Sequence, residues 1–118
     1  MRPILLVLAS LLISGVNAQE FPTRPIRVVV PYSAGGSSDG PMRVIAQEMS
    51  KQLGQPMVVE NKPGQGAMLG SADVVKASPD GHTLLLASNP NAISASLYSK
   101  LSHDPVEDFA PITLLASE

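Results

Sequence analysis

Residues 26–40 read Ile-Arg-Val-Val-Val-Pro-Tyr-Ser-Ala-Gly-Gly-Ser-Ser-Asp-Gly (IRVVVPYSAGGSSDG), a β-branched run that stops at Pro31 and spills into small residues and one acid. Ile26 to Val30 carries the near-continuous apolar signature of a strand buried on both faces of a parallel sheet. A helix follows. Over residues 41–53, Met42, Ile45, Ala46, Met49 and Leu53 recur at helical spacing as one apolar stripe, and Arg43, Gln47, Glu48 and Lys51 are left for the outside. Asp39 stands where an N-cap would stand, Pro41 suits the first turn, and Gly54 is placed to end the helix. Strand, glycine-rich loop and helix in that order point to an α/β fold.

The cycle continues toward the C-terminus. Residues 57–60 (MVVE) read as a second strand, 61–66 as a turn, and 67–77 as a helix with Leu69, Ala72 and Val75 facing inward. Residues 78–81 (SPDG) turn the chain into a third strand at 83–87, and Asn89-Pro90-Asn91 opens a short helical piece ending near Tyr98. Residues 104–109 read as a capped single turn and 112–116 (ITLLA) as a fourth strand. This alternation predicts a parallel sheet with right-handed crossovers and helices on its faces.

Residues 1–18 have the pattern of a cleavable signal peptide: Arg2, an apolar run from Ile4 to Leu12, and small residues ending at Ala18. The competing reading is a membrane anchor, but the apolar run is short for a bilayer core of about 30 Å. The expected destination is therefore the periplasm. Among 118 residues there are eight basic and ten acidic side chains, and seven against ten once Arg2 is removed. Such a balance leaves no basic face for nucleic acid. The absence of cysteine rules out a disulfide framework, so the core must hold without crosslinks.

In a parallel sheet the ligand sits beyond the carboxyl ends of the strands, at the point where the strand order reverses. Three loops leave those ends: 32–40, 61–67 and 88–92. In the first, the amides of Gly35, Gly36, Ser37 and Ser38 at a helix N-terminus form a nest for an anion. The bland alternative is that the glycines only turn the chain and Asp39 only caps the helix. Met68, in the second loop, either faces a less polar ligand or fills the core, and Lys62 reads as solvated.

The stretches IRVVVPYSAGGSSD, QLGQPMVVENKPGQG, ASPDGHTLLLAS and SLYSKLSHDPVEDFAPITLLAS, in that order and spacing, resemble the substrate-binding proteins of tripartite tricarboxylate transporters, the Bug family. The resemblance runs from about Phe21 to the last residue. It implies a two-domain periplasmic binding protein of type II with a cleft for a small carboxylate or dicarboxylate. Residues 19–118 would form part of domain 1 and end near the interdomain crossover, so the chain is expected to be a piece of a longer protein.

The resemblance further implies that Ser33, Ala34, Gly35, Gly36, Ser37, Ser38 and Asp39 meet a ligand carboxylate. Asp39 would face the ligand or fix the loop. Gly66 and Ala67 would contribute amides, and Ser88 and Asn89 side chains able to donate. Two features depart from the family pattern: Met68 where a hydrogen-bonding residue is common, and Gly40-Pro41 after the aspartate. The implied partners are the membrane subunits of a transporter, with the complete protein a monomer. A periplasmic accessory module that hands the same anion to a receptor is the alternative.

An enzyme is not expected, although Ser33, Ser37, Ser38, Asp39, His82 and His103 include the residue types of a triad. There is no G-x-S-x-G elbow, and His82 lies in a turn at the amino end of the sheet, away from the loop. The stretch also lacks the spacing of a P-loop or a G-x-G-x-x-G fingerprint. Two isolated histidines without cysteine make no metal site, and nothing calls for a cofactor.

Overall fold

The computed structural model describes residues 18–117. The leader expected at the N-terminus lies outside the described residues up to position 17. Six elements follow in order: β1 (Ile26–Val30), α1 (Asp39–Leu53), β2 (Met57–Asn61), α2 (Met68–Val75), β3 (Thr83–Leu85) and α3 (Asn89–Leu97). The three strands form a parallel sheet in the order β2-β1-β3. The chain steps from β1 outward to β2, then crosses back over β1 to β3. The reversal of direction therefore falls at β1.

The central strand is buried on both faces, as its β-branched run requires. Ile26, Val28 and Val30 pack with Met42 and Ala46 of α1 and Met57 of β2, and Ile45, Met49 and Leu53 close around them. The stripe read from the sequence is the stripe that is buried. Each fully buried isoleucine, valine or methionine among them contributes roughly 1.5–3 kcal/mol relative to exposure. Gly54 ends α1 in the left-handed conformation (φ 71°), its N–H reaching Ser50 O at 3.1 Å. Ser50 then clips the helix to the sheet, because its hydroxyl donates to Ala46 O and accepts from Met57 N at 2.8 Å.

The opposite face of β1 carries Arg27, which meets Glu60 of β2 and Asp73 of α2. Asp73 also accepts from Lys62 at 2.9 Å, and Lys62 lies 3.5 Å from Glu60. Lys62 is thus paired rather than solvated, contrary to the sequence expectation. Lys62 and Arg27 hold the Asp73 carboxyl below its ordinary range, and Arg27 does the same for Glu60.

Three further expectations need correction. Leu69, expected to face inward, is 54% exposed, and α2 buries Met68, Gly70 and Ser71 instead. The reason is close approach: a Cβ at Gly70 would stand 2.8 Å from Pro31 Cβ and 2.9 Å from Lys62 O, so the helix docks through its smallest residue. The third strand is shorter than the apolar run, with one further bond from Leu86 N to Val29 O at 2.9 Å. The fourth strand over residues 112–116 does not form. Ile112 and Leu114 are more than three-quarters exposed, and among the described residues no strand lies beside this segment to give it a ladder to join.

Residues 104–109 do form a capped turn, in which Asp104 Oδ1 accepts from the amides of Val106 (2.8 Å) and Glu107 (2.9 Å). Both histidines are buried in packing contacts. His82 is buried at the amino end of β3, accepts from Thr23 N at 3.2 Å and packs against Phe21. His103 is buried against Phe109 in an edge-on contact. No described helix is long and apolar enough to cross a membrane.

Candidate functional site

The carboxyl ends of the three strands open into residues 31–38, 62–67 and 86–88. Two polar clusters hold these loops together. The first is centred on Asp39, only 4% exposed although it stands in a surface loop-to-helix junction. Asp39 Oδ2 accepts from Gly35 N at 2.9 Å, Oδ1 accepts from Asn61 Nδ2 at 2.9 Å, and Arg43 Nε lies 3.1 Å from both oxygens. Asn61 closes the cluster, with Nδ2 donating to Tyr32 O (3.2 Å) and Oδ1 accepting from Arg43 Nη2 (2.8 Å). Arg43 first, then the Gly35 amide and Asn61, lower the Asp39 pKa to about 2.

This geometry decides what Asp39 does. It is the first helical residue, not the N-cap; Ser38 takes that position, without a side-chain cap bond. Both carboxylate oxygens are committed to fixing the loop and tying it to the end of β2. Arg43, assigned to the outer face by helical periodicity, is the counter-ion.

The expected nest of four amides is reduced in the same way. Gly35 N points to Asp39, and Gly36 N bonds Ser33 O at 3.3 Å. The amides of Ser37 and Ser38 make no hydrogen bond among the described residues. They sit ahead of α1, where the positive end of the helix and its unsatisfied N–H groups favour an anion. Ser33, Ala34, Gly35, Gly36 and Ser37 are exposed on this rim and Ser38 is half-buried. Gly35 adopts φ 81°, which a side chain would strain.

The second cluster joins all three loops through α3. Tyr32 Oη lies 2.6 Å from Ser88 Oγ and 2.6 Å from Asn91 Oδ1. Asn91 is buried; its Oδ1 also accepts from Ser88 N (3.1 Å) and its Nδ2 donates to Ser71 Oγ (2.7 Å). Ser71 donates in turn to Ala67 O at 2.8 Å, and Ser94 donates to Gly66 O at 2.8 Å. Ser88 starts α3 in a reciprocal capping box with Asn91. Asn89 is exposed in its first turn.

Ala67, expected to offer an amide to a ligand, is only 3% exposed and has a left-handed φ of 75°. It belongs to the packed base of the second loop, and Met68 beneath it is buried as well. Gly66 stays exposed at the surface. Sequence reading missed Tyr32, Arg43, Ser71, Asn91 and Ser94, and gave Asn61 only a turn role. For Ser71 the available signal was its helical spacing from Met68, a buried apolar residue; the residues around Asn91 carried none.

The arrangement offers amides, hydroxyls and one neutralised acid, on an open surface. A concavity of about 500 Å³ lined by Leu101, His103 and Glu107 includes none of the three loops. A smaller one of about 280 Å³, lined by Gln65, Met68 and Tyr98, borders the second loop. No group of three or more His, Asp or Glu among the described residues is placed to hold a metal ion.

Residues 42–118 match the family described as tripartite tricarboxylate transporter family receptor. An Agrobacterium vitis protein, "UPF0065 protein in the TAR-I ttuE-ttuC' intergenic region", is 45% identical over 93% of the chain and 32% of its own length. The chain therefore spans about a third of the length of that curated relative. Among solved structures, MatC from Rhodopseudomonas palustris with bound malate is 43% identical with a TM-score of 0.75, covering 80% of this chain and 33% of that one. An R. palustris protein with adipate is 31% identical with a TM-score of 0.65, covering 72% and 29%.

Proposed function

The chain belongs to the tripartite tricarboxylate transporter receptor family, and on that premise we propose that its three carboxyl-end loops form one wall of a site for a small organic carboxylate. The family is one of solute receptors, not enzymes. The observation that carries the reading is the first loop: Asp39, Arg43 and Asn61 lock it so that the Ser37 and Ser38 amides remain free at the start of α1. Solved relatives of this fold hold malate and adipate, both dicarboxylates.

In this reading one ligand carboxylate accepts from the amides and hydroxyls of Ser37 and Ser38, with Ser33, Ala34 and Gly66 on the rim and the Gly35–Gly36 turn setting the approach. Asp39 shapes the loop, and Arg43 cancels the charge that would otherwise repel an anion. Residues 19–118 act as part of the first domain of a periplasmic solute-binding protein. A second domain closes over the ligand, and the closed form delivers it to the membrane subunits of a transporter.

One wall alone excludes little water, so affinity of this chain for dicarboxylates is expected in the millimolar range. Calorimetry should show no micromolar binding. An amide NMR titration with succinate, malate or adipate should shift residues 35–39 in a saturable way. Saturable shifts confined to other surfaces would refute the assignment.

A further inference from the structure

We propose that Ser88 faces the ligand as a hydrogen-bond acceptor, so that the site selects a carboxylate carrying a hydroxyl or ammonium group over its unsubstituted parent. This rests on the carboxylate site just described and narrows its ligand class.

The argument is a count of protons. The Ser88 backbone amide can only donate, and it points at the Asn91 side-chain atom 3.1 Å away, which must therefore be the amide oxygen. Tyr32 Oη lies 2.6 Å from the same oxygen and has one proton, which goes to it. The contact between Tyr32 Oη and Ser88 Oγ, also 2.6 Å, then needs its proton from serine.

The chain of donors thus runs from Ser88 to Tyr32 to Asn91, and from Asn91 through Ser71 to Ala67 O. Ser88 is exposed at the carboxyl end of β3, yet its only hydroxyl proton is turned inward. The Asn91 backbone amide donates to Ser88 O at 3.0 Å, and Oγ keeps a lone pair for a ligand. A carboxylate oxygen placed there would meet a lone pair. A hydroxyl or ammonium hydrogen would be accepted. Ser88 is therefore not the carboxylate donor that the sequence resemblance implied; Tyr32 sets its polarity.

The test uses the full chain and three probes that differ at one carbon: succinate, malate and aspartate. Amide NMR titrations of the wild type, Tyr32→Phe and Ser88→Ala give the affinities. The wild type should bind malate or aspartate roughly 2- to 10-fold more tightly than succinate, the effect of one hydrogen bond. Tyr32→Phe returns the serine proton to the site and should shrink or reverse that preference, and Ser88→Ala should abolish it.

Equal affinity of the wild type for all three probes, with saturable shifts at residues 35–39, overturns the Ser88 inference and leaves the carboxylate site standing. A preference unchanged in Ser88→Ala overturns it too, and this comparison decides the matter if Tyr32→Phe fails to fold. No saturable shift with any probe overturns both readings.

Discussion

Replacing Gly70 by alanine is expected to destabilise the fold, although alanine is the better helix former. In the middle of a helix the exchange is worth about 0.5–1 kcal/mol in favour of alanine. Against it stand three contacts that the new Cβ would make: Pro31 Cβ at 2.8 Å, Lys62 O at 2.9 Å and Pro31 Cα at 3.1 Å. None is the end of a flexible side chain. One belongs to a ring whose φ is fixed, one to the backbone leaving β2, and one to the backbone at the start of the first loop. Relief requires α2 to move away from the sheet, at an overpacking cost of typically 1–3 kcal/mol.

The net expectation for Gly70→Ala is a loss of about 1–2 kcal/mol, or a fall in Tm of roughly 5–10 °C for a domain of this size. Gly40→Ala supplies the control, because a Cβ there meets nothing within 4 Å. That variant should be neutral or slightly stabilising. Urea unfolding followed by circular dichroism reads both. Gly70→Ala as stable as the wild type would refute the argument that α2 docks through that glycine. Because Pro31 begins the first loop, the same variant should also broaden the amide signals of residues 33–38.

Two further predictions concern charge. Asp39 has a folded pKa of about 2 against an ordinary 3.8, so its contribution to stability is complete above about pH 4 and is lost as pH falls through 2. A carboxyl carbon NMR titration should place its midpoint near 2, and Arg43→Gln should move the midpoint upward; an unmoved midpoint would remove Arg43 as the main cause. Asp73→Asn should cost at most about 1 kcal/mol and less in high salt, because Arg27, Lys62 and Asp73 are each about a third exposed. A salt-independent loss of several kcal/mol would show that the cluster acts as a buried one.

The parts of this protein legible in its sequence are those carried by local pattern. A β-branched run, a helical stripe and a terminal glycine suffice for β1 and α1, because burying one face of a regular element depends only on periodicity. The three carboxyl-end loops followed from the alternation of elements, and the glycine-serine stretch was correctly placed at a helix start. The family resemblance rested on four motifs in order, and the matching relatives bear it out.

Everything that required two distant segments to meet was decided by the tertiary structure. Leu69 and the 112–116 segment are apolar in sequence and exposed in the fold, because burial depends on what the neighbouring element offers: Pro31 against Gly70 in one case, no partner strand among the described residues in the other. Asp39 looked like a cap because cap chemistry is local. It became the centre of a cluster once Asn61, 22 positions on, came within 2.9 Å. The direction of the Ser88 proton lies further still from sequence. It depends on a tyrosine 56 positions away and on an asparagine whose orientation one backbone amide dictates. Sequence determines which donors and acceptors a loop contains, and only their geometry determines which of them are already spent.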